Sequence, residues 1–262
     1  MNVTSRERVL WPETGFTKGD LADYYRAVAP ALVPHLAQRA VTLRRFPEGV
    51  EGPNWFQDEC RGAPPWLRTA EVRGRRFCVL DSAEALVWTA NIAAVELHPY
   101  PFRLEEPVRA THVVFDVDPG EGATVIDCCA VALRLRRRFP QARVKTSGLL
   151  GLHVFVPADA PFSETKTVAR EVAEELAAET PERVTTTQKR AERRAKVLVD
   201  WLQNDPTRST VAPYSLRAAP WPLASTPLRW DEVERAREPR ELVFTGKDVL
   251  ARLDRYGDLF VR

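Results

Sequence analysis

Two aspartates, two positions apart, indicate a metal-dependent chemistry. Asp116 and Asp118 end the apolar run of FDVDPGEG, and residues two apart in a strand project from the same face. Two carboxylates held together repel unless a cation lies between them, and hard oxygen ligands favour Mg²⁺ or Mn²⁺. Asp200 follows a second apolar run, KVLV. Three carboxylates on adjacent strands suit two-metal phosphoryl transfer, although acids are also common at strand ends and turns.

A second motif, TSGLLGLHVFVP, could hold a phosphate. Ser147, Gly148 and Gly151 predict a tight turn whose backbone N–H groups can approach an anion. His153 returns on the strand that follows the turn. A serine and a histidine so placed could contact a phosphate oxygen of a nucleotide, whereas a lone histidine could equally be an ordinary sheet residue.

Further polar residues follow the third aspartate. Gln203 lies three positions after Asp200, and Arg217 closes the extended segment TVAPYSLR. An arginine there could clamp a triphosphate through two parallel hydrogen bonds, or it could form a surface salt bridge.

Positive charge is concentrated locally, although the chain carries a net charge of only +2. Residues 183–196 hold six basic residues and one acid, and Arg39, Arg44 and Arg45 form a second basic cluster. Such concentration predicts a patch for phosphate, with a solvated helix face as the alternative.

The elements that would position these residues alternate between helices and strands. Apolar periodicity and caps predict helices over 18–37, 83–94 (capped at Asp81-Ser82), 124–138 and 163–179 (capped by Ser163 or Thr165). Strands are predicted over 40–46, 76–80, 111–118, 142–148 (a strand with its turn), 151–157 and 195–204. The hairpin-like pair KTSG (145–148) and GLHVFVP (151–157) favours an antiparallel catalytic sheet over a βαβ stack.

Composition excludes several classes of protein. With 262 residues, 44% hydrophobic and 28% charged, the chain is typical of a soluble globular protein. No apolar stretch predicts a membrane span, and the N-terminus does not resemble a secretory signal. Cysteines at 60, 78, 128 and 129 lack ligand spacing, so we expect neither a disulfide framework nor a zinc finger, and we expect a reducing cytoplasm.

The order of the motifs resembles one known family, the polymerase domain of bacterial ligase D, which is the archaeo-eukaryotic primase-type polymerase of non-homologous end joining. The matching blocks span nearly the whole chain: RVLWPETGFTKGDLADYYRAVAPALVPHL, VTLRRFPEGV, LDSAEALVWTANIAAVELH, FDVDPGEG, TSGLLGLHVFVP, KVLVDWLQND, STVAPYSLRA and RYGDLF. The resemblance implies a single α+β domain (1–262) with the archaeo-eukaryotic primase fold. An RRM-like antiparallel catalytic module, approximately 106–262, would pack with a smaller α/β module, approximately 1–105.

The resemblance also implies roles for individual residues. Asp116, Asp118 and Asp200 would bind two Mn²⁺ or Mg²⁺ ions, and His98 would lie at the active site. The residues expected at the nucleotide are Ser147, Gly148, His153, Arg193, Gln203 and Arg217. Those expected on DNA are Arg8 and Lys18 at a 5′-phosphate, the aromatics Trp55 and Phe56, and Arg44 and Arg45 of the basic cluster. Trp55 and Phe56 could instead be ordinary core or surface aromatics.

The chain departs from the family at two places. Leu150 replaces the usual lysine of the SGxKG turn, which should cost about 1–3 kcal/mol of nucleotide affinity unless Lys145 or an arginine compensates. Gln57-Asp58 replaces a Glu-Lys pair that is common in the family.

The expected function is DNA-dependent addition of ribo- or deoxyribonucleotides to a primer 3′-OH at gapped, nicked or broken DNA ends. The alternatives are a non-catalytic module that binds DNA ends or gaps, and another two-metal enzyme such as a nuclease. The chain carries no ligase KxDG motif, so we expect a stand-alone chain that works with Ku and a separate ATP-dependent ligase. Its expected location is the bacterial cytoplasm, at the nucleoid.

Overall fold

The computed structural model describes residues 2–261, which divide into two compact units. The first unit comprises the chain up to Pro107, Ser209–Ser225 and Phe244–Asp258, and the second comprises Val108–Arg208, Thr226–Val243 and the chain from Leu259. The sequence predicts residues 209–225 and 244–258 in the catalytic module, whereas in the structure both segments belong to the first unit. Hydrogen bonds explain the difference: the Ala212 N–H donates to the Leu97 carbonyl, and the Ala224 N–H donates to the Phe244 carbonyl.

The secondary structure mixes helices with short strands. The strands within residues 2–261 are β1 (Val9–Trp11), β2 (Phe16–Thr17), β3 (Val41–Arg45), β4 (Trp55–Gln57), β5 (Thr69–Val72), β6 (Arg75–Cys78), β7 (Ala94–Pro99), β8 (Arg109–Pro119), β9 (Arg143–Thr146), β10 (Leu152–Pro161), β11 (Val184–Thr185), β12 (Val197–Asp200), β13 (Leu216–Ala218), β14 (Pro222–Ala224) and β15 (Pro227–Leu228). The α-helices are α1 (Lys18–Leu36), α2 (Ala83–Asn91), α3 (Val125–Arg138), α4 (Phe162–Glu179), α5 (Trp230–Arg235) and α6 (Gly246–Tyr256). Short 3₁₀ helices cover Arg190–Arg193 and Pro239–Leu242.

Side-chain caps fix where several helices begin. Thr17 starts α1 through a capping box, in which its side chain accepts from the Asp20 N–H and the Asp20 carboxylate accepts from the Thr17 N–H. Ser82 caps α2 by accepting from the Ala85 N–H, as the sequence predicts. The predicted cap of α4 is wrong, because that helix begins directly after Pro161 with no side-chain cap. Proline supplies a backbone angle compatible with helix entry, so the chain turns from β10 straight into the helix.

In the second unit, β8 lies inside a six-stranded sheet of order β11-β12-β8-β10-β9-β15. Its pairs are antiparallel except for the edge pair β11–β12, and the predicted β9–β10 hairpin is confirmed. Helices α3 and α4 contact β8. The Phe115 ring stacks 6.0 Å from that of Phe139, at the end of α3. Because side chains alternate along a strand, Asp116 and Asp118 project from the opposite face.

In the first unit, a five-stranded sheet has the order β4-β3-β6-β5, and β7 also pairs with β3. Helices α1 and α2 contact each other extensively, and their buried residues join those of β3 and β7 in one apolar core. Two predicted elements are shorter than expected: α2 ends at Asn91, and the strand predicted over 195–204 is confined to β12. Across residues 2–261, no helix combines the length and apolar character needed to span a bilayer.

The four cysteines behave differently from the sequence prediction. Cys60 and Cys78 form a disulfide, with Cα atoms 4.9 Å apart and a sequence separation of 18. The pairing arises because the loop after β4 returns to β6, where the Cys60 N–H donates to the Arg76 carbonyl. Cys128 and Cys129 are buried thiols on α3, and burial raises the pKa of Cys129 to about 11.

Candidate functional site

Three acids that were singled out from the sequence meet on one face of the second unit's sheet. Asp116 and Asp118 lie on β8, and Asp200 is the last residue of β12. In the antiparallel register, Asp200 lies directly opposite Asp116 and Leu198 lies opposite Asp118. Side chains directly opposite each other in a sheet are near neighbours, so Asp200 and Asp116 share one face. The sheet therefore gathers the three acids on one face.

These acids repel one another in a partly buried environment. Burial and, next, the charge of Asp116 raise the pKa of Asp118 to about 6. Burial also raises the pKa of Asp200, and Asp116 adds to that rise. The charge of Arg193 lowers the pKa of both carboxyls without cancelling the increase. An added cation would relieve this repulsion.

The donor chemistry of the acidic cluster fits a hard divalent ion. Carboxylate oxygens are the ligands that Mg²⁺ prefers, and repulsion among them favours binding of a cation. Within residues 2–261, no group of three or more histidine, cysteine, aspartate or glutamate side chains already has the arrangement of a metal site. The chemistry of the side chains, rather than a preformed cage, is therefore what supports metal binding.

His153 extends the row of polar residues to the neighbouring strand. It lies opposite Asp116 on one side and opposite Lys145 on the other. Its Nε2 lies 3.1 Å from Asp116 Oδ1, and its Nδ1 lies 2.8 Å from Lys145 Nζ. A lysine ammonium can only donate, so Nδ1 accepts and Nε2 carries the hydrogen that faces the carboxylate. Lys145 is fully buried, so its Nζ is enclosed behind His153.

The turn between β9 and β10 packs directly against the acidic strand. The Ser147 hydroxyl accepts from the backbone N–H groups of Leu149 and Gly151, at 3.2 and 3.1 Å. Gly148 has a φ of +76°, as the predicted tight turn requires. A Cβ on Gly151 would lie 2.3 Å from the Val117 carbonyl oxygen and 2.5 Å from a carboxylate oxygen of Asp118, so only glycine permits this approach. The predicted turn is thus present and reaches the acids.

The polar residues around β12 have distinct positions. Gln203 is half-buried in the turn after the strand, and the buried Asn204 beside it bonds both backbone groups of Val114. Asn204 escaped the sequence analysis, since it belongs to no catalytic pattern. Arg193 donates from Nε to the Thr187 carbonyl at 2.9 Å, and its charge acts on the acidic cluster.

The first unit contains a second cluster, centred on a buried glutamate that the sequence analysis missed. Glu96 Oε1 accepts from Arg44 Nη1 at 3.3 Å and from the Ala218 N–H at 3.0 Å, and it lies 3.4 Å from Arg217 Nε. Its Oε2 lies 2.9 Å from His98 Nε2. Two predicted site residues, His98 and Arg217, therefore share one carboxylate. The available signal was spacing, since residues two apart on β7 share a face.

The pKa of Glu96 is shifted in the opposite direction to the pKa of Asp118. Burial alone would raise the pKa of Glu96, but the His98 hydrogen bond and the charge of Arg217 outweigh it and lower the pKa to about 2. Glu96 is therefore an anion at neutral pH, already compensated by its neighbours.

Basic side chains of β3 lie opposite aromatic side chains of the paired strand β4. Arg44 lies opposite Phe56, and Arg45 lies opposite Trp55. Each guanidinium stacks over the facing ring, at 5.2 and 5.3 Å from the ring centroid. The rings are 58% and 45% exposed for Phe56 and Trp55, which excludes an ordinary core role and leaves a surface suited to stacking. Phe56 also meets the edge of the His98 ring, 5.6 Å away.

The two residues predicted at a 5′-phosphate differ in exposure. Arg8 is exposed, with Nη1 2.8 Å from the Pro47 carbonyl. Lys18 is only 6% exposed, and its Nζ donates to Thr4 Oγ1 and to the Asn91 carbonyl, each at 3.2 Å. Burial and then the charge of Arg8 lower the pKa of Lys18. The Lys18 ammonium is therefore a cation whose hydrogen-bond partners are neutral oxygens.

Comparisons with known proteins agree with the resemblance seen in the sequence. The family model for the LigD primase-polymerase domain matches residues 17–260. The non-homologous end joining protein LigD of Mycolicibacterium smegmatis is 38% identical over 99% of this chain and 35% of its own length. LigD of Mycobacterium tuberculosis (H37Rv) is 37% identical over the whole chain and 37% of its own length. The chain thus spans a little over a third of the length of these relatives.

A solved structure gives the same result at the level of the fold. The polymerase domain from Mycobacterium tuberculosis ligase D, solved in complex with DNA, superposes with a TM-score of 0.90 and 34% identity, covering 99% of this chain and 96% of that one. The mixed α/β architecture with antiparallel sheets is therefore the archaeo-eukaryotic primase fold, and it defines a primase-polymerase, a class of nucleotidyltransferase. The predicted fold class is confirmed. The chain belongs to the LigD primase-polymerase domain family.

Proposed function

We propose that this chain is a DNA-dependent polymerase that adds ribo- or deoxyribonucleotides to a primer 3′-OH. It would fill gaps or extend ends during repair of double-strand breaks by non-homologous end joining. The observation that carries the proposal is the set of three acids, gathered on one sheet face, with the pKa of Asp118 raised to about 6 by burial and like charge. A site that accumulates such repulsion is suited to cations and to the phosphates that accompany them.

The chain's own residues would divide the work of nucleotidyl transfer. Asp116, Asp118 and Asp200 would hold two Mg²⁺ or Mn²⁺ ions, which when bound activate the attacking hydroxyl and neutralise charge on the phosphates. His153 would orient Asp116 through its Nε2–H while facing the nucleotide side of the sheet. Ser147 would keep the glycine turn in the shape that lets its backbone approach a phosphate.

Several features of the first unit support binding to DNA. The solved ligase D polymerase domain was captured with DNA, and 34% identity accompanies its close structural match to this chain. The exposed rings of Trp55 and Phe56, backed by Arg44 and Arg45, would stack on bases. Arg8 and Lys18 would contact the 5′-phosphate of a downstream strand. Ku and a DNA ligase activity would act with the chain in this role.

One observation favours a second candidate, a module that binds DNA ends or gaps without catalysis. Leu150, at the tip of the glycine turn, is 71% exposed and occupies the place where the family usually has a lysine. Lys145 does not supply that missing charge at the tip, because its ammonium is buried against His153.

Primer extension across a short gap separates the two candidates. The substrate carries a 5′-phosphorylated downstream strand, and Mn²⁺ or Mg²⁺ is supplied with NTPs or dNTPs. We expect templated product from the parent and none from Asp116→Ala, with gap binding retained in both. A matched control is Glu234→Gln, which removes an exposed carboxylate paired with Arg136. Tight binding without any product in the parent would favour the non-catalytic module, and shortened primer would indicate a nuclease.

A further inference from the structure

We propose that Glu96 is a positioning residue that fixes the tautomer of His98 and the direction of the Arg217 guanidinium. The proposal rests on the function proposed above, because the family resemblance places His98 at the active site and Arg217 at the incoming nucleotide. Glu96 itself is fully buried, so it acts only through its neighbours.

The geometry shows that one carboxylate joins two distant segments of the first unit. Glu96 lies on β7, and its Oε1 accepts from the Ala218 N–H of β13 at 3.0 Å. The same oxygen lies 3.4 Å from Nε of Arg217, which is only 11% exposed at its side chain. Ser215 Oγ accepts from the Leu97 N–H at 3.0 Å and completes the attachment of β13 beside β7. Two contacts of Glu96 therefore fix the position of the Arg217 guanidinium. One is the hydrogen bond from the Ala218 N–H, which holds the backbone of β13, and the other is the attraction between the carboxylate and the guanidinium.

The second oxygen decides which ring nitrogen of His98 carries a hydrogen. A carboxylate with a pKa of about 2 is an acceptor at neutral pH, and Glu96 Oε2 lies 2.9 Å from His98 Nε2. His98 Nε2 must then be the donor, which assigns the Nε2–H tautomer to the neutral ring. The Phe56 ring meets the imidazole edge-on, 5.6 Å away, and limits its rotation. Glu96 thus specifies both the orientation and the hydrogen placement of His98.

The net charge of the glutamate cluster allows a loss of alignment to be distinguished from a general loss of structure. Two guanidinium groups, on Arg44 and Arg217, surround a single carboxylate, so the cluster keeps an excess of positive charge. Replacing Glu96 by the neutral, similarly shaped glutamine increases that excess. Attraction for the triphosphate should therefore persist or strengthen, while the alignment of His98 and Arg217 is lost. Binding and turnover should respond differently.

The test measures steady-state extension by Glu96→Gln at saturating gapped DNA with Mn²⁺. We expect kcat to fall by at least about tenfold, with the KM for NTP unchanged within about threefold or lower. The control is Glu175→Gln, which converts an exposed carboxylate of α4 paired with Arg138 and should leave both constants unchanged. A Glu96→Gln variant that keeps kcat within about twofold of the parent overturns the proposal.

A spectroscopic measurement tests the tautomer of His98 directly in the parent. The chain has four histidines, so the ring nitrogens of His98 can be assigned by two-bond ¹H–¹⁵N correlation, with His98→Asn as the reference. We expect the Nε2–H tautomer for neutral His98 in the parent and a mixture of tautomers in Glu96→Gln. The Nδ1–H tautomer in the parent overturns the proposal. If the parent makes no product, the proposed function fails, while this measurement still decides the role of Glu96.

Discussion

The two units each bury carboxylates, and their surroundings give them opposite electrostatics. In the second unit, Asp116, Asp118 and Asp200 crowd one sheet face, and burial with like charge raises the pKa of Asp118 to about 6. In the first unit, burial would also raise the pKa of Glu96, but His98 and the charge of Arg217 lower it to about 2. The carboxylates of the second unit thus repel one another, whereas the carboxylate of Glu96 in the first unit is stabilised by its neighbours.

This difference distinguishes acids suited to binding a cation from an acid that stabilises and aligns its neighbours. A carboxylate already paired and hydrogen-bonded has its charge satisfied within the fold, so its removal harms stability and alignment. Crowded carboxylates destabilise the fold until a cation arrives, so their removal harms chemistry alone. Stability and activity should therefore respond in opposite ways in the two clusters.

The largest expected effect comes from Asp118→Asn. Loss of one ligand to the ions should remove several kcal/mol of transition-state stabilisation, so extension should fall by about 1,000-fold or more. Because like-charge repulsion is relieved, the melting temperature without divalent ions should stay equal or rise. Primer extension and thermal unfolding in EDTA check both parts. A lowered melting temperature would show that Asp118 is compensated like Glu96 and would remove the contrast.

Glu96→Ala should produce the largest loss of stability. Removing the carboxylate leaves the buried side of Arg217 and the Ala218 N–H without this acceptor, which should cost about 3 kcal/mol of unfolding free energy. Urea unfolding of the parent and the variant measures the difference. Asp23→Asn, an exposed acid paired with Arg6 and Arg26, serves as the control and should change it little. An equally small change for Glu96→Ala would contradict the view that Glu96 organises this cluster.

The pH dependence of stability should have opposite signs in the two clusters. The folded-state pKa of Asp118, about 6, exceeds its ordinary value of 3.8, so its contribution to stability is greatest below pH 3.8 and is lost as the pH rises through 6. The folded-state pKa of Glu96, about 2, lies below its ordinary value of 4.5, so its contribution is present above pH 4.5 and is lost as the pH falls through 2.

Unfolding in EDTA at several pH values checks these signs. The stabilisation by Asp118→Asn should grow between pH values of about 4 and about 6.5, whereas the destabilisation by Glu96→Gln should shrink between about 5 and about 2.5. Parallel curves for parent and variant in either window would contradict the corresponding sign.

The sequence predicted the acids better than it predicted the glutamate cluster, and the reason lies in local patterning. Asp116 and Asp118 sit in one short motif after an apolar strand, so period-two geometry places them together without knowledge of the rest of the chain. Glu96 acquires its role from Arg44 and from Arg217, which lie 52 and 121 positions away. They meet only because β3 pairs with β7 and β13 packs beside β7. The Cys60–Cys78 disulfide escaped prediction for the same reason, because the return of a loop to β6 leaves no spacing signature.

Lys18 extends the comparison to a buried cation, and its expected effect is the smallest. Its ammonium is held by the neutral oxygens of Thr4 and Asn91, and burial lowers its pKa. Such a cation resembles the crowded acids in gaining from an added opposite charge, here a 5′-phosphate. Lys18→Met should therefore abolish the preference for a 5′-phosphorylated gap and reduce the salt dependence of binding by about one phosphate contact.

Binding titrations over a range of salt, with phosphorylated and hydroxyl gaps, test this prediction beside a Lys247→Met control on α6. Folding stability should not fall in Lys18→Met, since the substitution removes a buried charge whose partners are neutral oxygens. If discrimination between the two gaps survives in Lys18→Met and disappears in Arg8→Ala, the exposed arginine reads the phosphate. Lys18 would then belong, like Glu96, with the charges that organise the fold.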